Sequence, residues 1–124
     1  MERLAVPRLI LSGLTPRVGK SLIMLGLATE LKQKGISASY CVVGPNFQQA
    51  SLIRGISDRS VHVLDPTIQT QSQILESLYM ASLGADIILI EGAGTLLEEI
   101  EDSEFAGGPD SFIAKLTYSP ICPI

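Results

Sequence analysis

Tryptophan is absent from this chain, aromatic residues of all kinds make up 5% of it, and there is a single histidine, His62. So little aromatic surface leaves almost no material for the stacking platforms that hold single-stranded nucleic acid. Positive charge is also scarce: nine Lys and Arg stand against thirteen Asp and Glu, for a net charge of −4. A general nucleic-acid or anionic-membrane surface is therefore not expected, which leaves room only for a local basic site. The two cysteines, Cys41 and Cys122, form no Cys-x-x-Cys pair, and one histidine cannot complete a zinc site with them. Both read as buried, reduced thiols of a cytosolic protein. No uninterrupted apolar run approaches the roughly eighteen residues of a membrane span. The opening MERLAVPRLILSG is broken by Pro7 and Arg8 and lacks a small-residue cleavage site, so it reads as the lead-in to a strand, with cytoplasmic residence expected.

What is present suits one compact domain: 124 residues, 46% of them hydrophobic. Arg8 to Ser12 is a short apolar run closed by Gly13, as a buried strand would be. Lys20 to Lys34 reads as a helix with Gly35 at its C-cap. Ser37 to Val43 is β-rich and stops at Gly44-Pro45, and Val61 to Leu64 is a further short strand punctuated by Asp65-Pro66. Between them, Asn46 to Arg59 reads as a polar excursion. Ile68 to Leu83 spaces its apolar residues as a helix does, Asp86 to Ile90 is a continuous apolar strand, and Glu98 to Glu104 is an acidic loop. Ser111 to Leu116 is a last helix, and Pro120 to Ile124 opens another strand.

Strands alternating with helices, in runs too continuously apolar for a one-sided sheet, imply an α/β domain with a mainly parallel sheet covered on both faces. Ligands of such sheets gather at the carboxyl ends of the strands. Three informative features fall there: the loop after the first strand, Gly44-Pro45-Asn46 after the second, and Glu91 after DIILI.

The first of these, Gly13-Leu-Thr-Pro-Arg-Val-Gly19-Lys20-Ser21, supplies what a polyphosphate needs. Glycines let successive N–H groups face phosphate oxygens, and the following helix begins with its positive end toward them. Lys20 can reach the terminal phosphates, and the Ser21 hydroxyl can complete a magnesium shell. Common phosphate-binding loops place four residues between the two glycines; this one places five. Magnesium also needs a carboxylate or a water held by one. Glu91, directly after four apolar residues and before Gly-Ala-Gly94, is the candidate.

These stretches resemble the nucleotide-binding domain shared by cobyrinic acid a,c-diamide synthases and dethiobiotin synthetases, whose loop has the same five-residue spacing. VVGPNFQQASLIRGISDRSVHVLDPTI is similar to the cobyrinic branch, which typically has Lys-Val-Gly-Pro-Asp-Tyr-Ile-Asp and later Asn-Leu-Asp-Pro. Glu91-Gly-Ala-Gly94 looks more like the dethiobiotin branch. The likeness runs from about Pro7 to the end of the chain.

It implies a three-layer P-loop NTPase-type fold and an ATP- and magnesium-dependent ligase of cobalamin-type biosynthesis. There a carboxylate is activated by the γ-phosphate and captured by an amine or ammonia. Carried over by position, Gly13, Thr15, Val18, Gly19, Lys20 and Ser21 cradle the nucleotide, Ser21 and Glu91 hold the metal, and Lys20 and Glu91 serve catalysis. The departures are Val42 in place of the family's lysine, and Asn46 and Gln49 in place of its acidic residues. The family's glutaminase half has no counterpart in this sequence, so a truncated or divergent form is implied, with the sheet incomplete at its end. The expected partners are the nucleotide, a small carboxylate substrate, a separate glutaminase and further copies of the chain, because an unfinished sheet leaves a strand edge to pair. Neither nucleic acid nor a membrane is expected as a partner. His62 reads as a surface or packing residue. Two other readings stay open: a non-catalytic nucleotide-binding or regulatory module, and a switch ATPase of the partitioning type. The latter carries a second lysine at the position of Thr15, which counts against it here.

Overall fold

The computed structural model describes residues 5–13, 20–44, 59–95 and 108–124. Five strands, β1 (Arg8–Gly13), β2 (Ala38–Val43), β3 (Val61–Leu64), β4 (Ile87–Thr95) and β5 (Ile121–Pro123), form one sheet in the order β3-β2-β4-β1-β5. Every neighbouring pair is parallel. Three helices are described: α1 (Lys20–Gln33), α2 (Gln71–Ser82) and α3 (Gly108–Thr117).

The continuous apolar runs are explained by the sheet's two covered faces. Along each central strand, alternate side chains enter different cores. Ile10, Cys41, Val43, Ile88 and Ile90 pack with Ile74, Leu78 and Ala81 of α2 and Ile113 and Ala114 of α3. Leu11, Tyr40, Val42 and Leu89 pack with Met24 and Ala28 of α1. The molecule is thus three layers, with α1 on one face of the sheet and α2 and α3 on the other.

The ends of the elements follow local chemistry. Past α1, Gly35 takes φ +74° while its N–H bonds the Lys32 carbonyl and Ile36 N–H bonds that of Leu31. A side chain would resist that left-handed closure. The spacing of apolar residues predicts the second helix from Ile68, but α2 begins at Gln71. Asp65 explains the delay: its Oδ1 accepts from Thr67 N (3.0 Å) and Thr67 Oγ1 (2.7 Å), making a turn of residues 65–68. A capping box then starts the helix, with Gln73 N donating to Thr70 Oγ1 (3.2 Å) and Thr70 N to Gln73 Oε1 (2.8 Å). Arg59 ties the amino end of the sheet together, donating from Nε to Ser39 Oγ (2.7 Å) and from Nη2 to the Leu83 carbonyl.

Two other expectations are corrected. Cys41 is buried, and burial pushes its thiol up to about 12, but Cys122 is exposed, because β5 is an edge strand paired only with β1 among the described residues. The last helix starts at Gly108 rather than Ser111, with Pro109 and Asp110 in its first turn. The polar excursion after Pro45 and the acidic loop from Glu98 lie outside the described residues. Among the described residues, no helix is long and apolar enough to cross a membrane.

Candidate functional site

Among the described elements, the strand order creates a switch point between β1 and β4. From β1 the chain crosses through α1 to β2, while from β4 it crosses through α3 to β5, on the opposite face and in the opposite direction. β1 and β4 are neighbours, so the connections leaving their carboxyl ends turn to opposite faces of the sheet there. Such a divergence is where ligands enter parallel sheets.

Gly13 ends β1 at this crevice, and α1 begins at Lys20. Thr15, Val18 and Gly19, like the rest of the connection, lie outside the described residues, as do Asn46 and Gln49. Lys20 and Ser21 are placed by their backbone as the first two residues of α1; their side chains are outside the description. A helix of 14 residues therefore directs its amino end toward the carboxyl edge of the sheet, where its unsatisfied N–H groups favour an anion.

Glu91 lies on β4 between Leu11 of β1 and Val42 of β2. It follows Leu89 by two residues, and Leu89, Leu11 and Val42 all belong to the core beneath α1, so Glu91 stands on α1's face of the sheet. It is fully buried (0% exposed). A carboxylate at such a position is costly unless it serves a partner or a ligand. Its strand extends further than the sequence suggests, because Glu91-Gly-Ala-Gly-Thr continues β4 rather than following it.

On the opposite face sits a residue that sequence reasoning missed. Asp110, in the first turn of α3, is fully buried. Its Oδ2 accepts from Ser12 Oγ (2.6 Å), and its Oδ1 accepts from Ala93 N (2.8 Å). The carboxylate lies against the backbone of Gly92, so close that a Cβ there would come within 2.7 Å of Asp110 Cγ. The Pro-Asp pair that opens α3 was the available signal, but only for a helix start.

Among the described residues no group of three or more His, Cys, Asp or Glu side chains gathers to hold a metal. His62 is half-buried, and burial and the neighbouring Arg59 guanidinium hold its imidazole below the usual 6.5. It lines a cleft of about 440 Å³ beside α2 that contains none of the predicted site residues.

The all-parallel sheet with helices on both faces makes a three-layer α/β domain, consistent with the P-loop type. No protein-family model matches the chain. Curated relatives do. A cobyrinate a,c-diamide synthase of Leptospira interrogans (serovar Lai) is 30% identical over 117 residues, covering 94% of this chain and 25% of the relative. Those of Archaeoglobus fulgidus and Thermoplasma volcanium are 29% and 31% identical, over 94% of this chain and 25% of each relative. Over the quarter of the relatives' length that it spans, the chain belongs to the cobyrinate a,c-diamide synthase family.

Proposed function

We propose that this chain is the ATP- and magnesium-binding part of a cobyrinate a,c-diamide synthase-type ligase. The observation that supports it best is the fully buried Glu91, on α1's face, opposite Leu11 and so two positions below Gly13. A carboxylate buried there, at the carboxyl end of a central strand, is placed where a polar ligand arriving at the crevice would use it. In this reading Gly13, Thr15, Val18 and Gly19 shape the phosphate cradle, Lys20 meets the terminal phosphates and Ser21 reaches the metal. Glu91 supplies the carboxylate side of the magnesium shell. Magnesium commonly takes only one or two carboxylates beside phosphate and water, so the small set of acids fits.

The bound nucleotide would supply a phosphoryl group to a substrate carboxylate, and ammonia from a glutaminase partner would displace the phosphate. The chain's own contribution is positioning and charge neutralisation.

A second reading, a nucleotide-binding module without amidation, is favoured by Val42. This side chain is fully buried and is the cross-strand neighbour of Glu91, where the resembled family has lysine. No cation is offered from that position to a transferring phosphoryl group.

Calorimetry with ATP decides the binding step. Lys20→Ala should abolish binding, and Glu91→Gln should weaken it only when magnesium is present. Unchanged affinity in the first, or equal magnesium dependence in the second, refutes the assignments. Phosphate release that requires both a carboxylate substrate and ammonium separates the ligase from the module.

A further inference from the structure

We propose that Asp110 is a positioning residue for the nucleotide–metal site, clamping the end of β1 to the end of β4 and so setting the separation of Gly13 from Glu91. The proposal rests on the nucleotide-binding reading and deepens it.

The ladder between the two strands breaks where the site begins. Leu11 pairs with Glu91, but the next pair is Gly13 with Thr95. β1 therefore advances by two residues while β4 advances by four, and a regular ladder cannot hold the strands together across that step. Asp110 spans the break. One carboxylate oxygen takes the hydroxyl of Ser12, next to Gly13; the other takes the N–H of Ala93, two residues after Glu91. Gly92 between them has no side chain, which lets the carboxylate lie flat on the bulged strand. Its place in the first turn of α3 suits a negative charge.

Asp110 itself stays off the reacting groups. Ser12 follows Leu11, and Leu11 faces α1; Asp110 reaches Ser12 from the α3 side, opposite Glu91. Its effect passes through the backbone to two elements at once, the start of the phosphate loop and the metal carboxylate. The property it controls is thus their registry, read as the factor by which magnesium raises nucleotide affinity.

The test is calorimetry of the full chain with a non-hydrolysable ATP analogue, in magnesium and in EDTA, with melting curves for each variant. Asp110→Ala should cut the magnesium enhancement about tenfold, as outer-shell partners of metal ligands commonly do, with affinity in EDTA little changed. Asp110→Asn should restore it, because the amide oxygen can still accept from Ala93 N while Nδ2 donates to Ser12 Oγ. Equal loss in both conditions, no loss, or an Asn variant as poor as Ala overturns the proposal. If Asp110→Ala does not fold, Ser12→Ala removes one arm alone and should lower the enhancement in part; a wild-type enhancement there overturns it equally. Binding by the wild type that Lys20→Ala abolishes, with Asp110→Ala unaffected, sinks this inference alone. No binding by the wild type sinks the nucleotide reading and this inference together.

Discussion

Replacing Gly92 by alanine probes the packing at the head of the site. An ideal Cβ there would stand 2.7 Å from Asp110 Cγ and 3.0 Å from Oδ1, and closer still to Oδ2. Ordinary contacts lie near 3.5–4.0 Å. The obstructing group cannot simply swing into solvent, because Asp110 is fully buried and held by Ser12 and Ala93. Relief requires either the carboxylate or the strand to move, and both movements stretch the same two hydrogen bonds. Overpacking costs about 1–3 kcal/mol, and a hydrogen bond to a charged group contributes about 1.5–3 kcal/mol. Since relaxation trades one loss against the other, we expect Gly92→Ala to cost about 3 kcal/mol. That is a large share of the roughly 5–15 kcal/mol that holds a domain folded. Urea denaturation followed by circular dichroism should show a lower midpoint at an unchanged slope. In an Asp110→Ala background the same substitution should cost under about 1 kcal/mol, because the carboxylate it strikes is gone. An unchanged midpoint for the single variant, or an equal drop in both backgrounds, would refute the reasoning.

Two further outcomes are expected away from the crevice. Tyr118 follows α3 at φ 53° with its side chain 78% exposed, so it bears the strain of a left-handed residue without packing in return. Tyr118→Gly should raise stability by about 0.5–1 kcal/mol, measured as a higher urea midpoint; a lower midpoint contradicts it. The His62 imidazole is held below its usual 6.5 by burial and by Arg59, so the unfolded chain binds its proton more readily. Its contribution is therefore fully present above about pH 6.5 and is lost as the pH falls through the folded value. His62→Gln should flatten the decline in midpoint between about pH 7.5 and 5.5, and an unchanged slope would show that the histidine has no part in it.

The architecture was readable because burial on both faces leaves a central strand no room for polar residues. RLILS, SASYCVV and DIILI became β1, β2 and β4 within a residue or two at their starts. Misreadings arose where the leading signal was overruled by a specific contact, distant in some cases and local in others. Gly-Ala-Gly after Glu91 looks like the end of a strand, yet β4 runs on to Thr95, because Thr95 pairs with Gly13 of β1 while Asp110 takes the Ala93 N–H between. Ile68 continues a helical spacing, but the Asp65 turn and the Thr70 box outrank periodicity. Cys122 sits among apolar residues in the sequence, and only its edge position exposes it.

The site divides along the same line. Glu91 could be picked out because an acid interrupting an apolar strand is a local anomaly, and local anomalies survive in a one-dimensional record. Asp110 could not, since a Pro-Asp at a helix start is commonplace and its partners are 98 and 17 residues away. Its meaning arises only when the four-for-two step between β4 and β1 brings Ser12 and Ala93 to the same carboxylate. A candidate ligand-binding acid can thus be picked out from chemistry alone. The residue proposed to hold it in register with the end of β1 is visible only once the strands are paired.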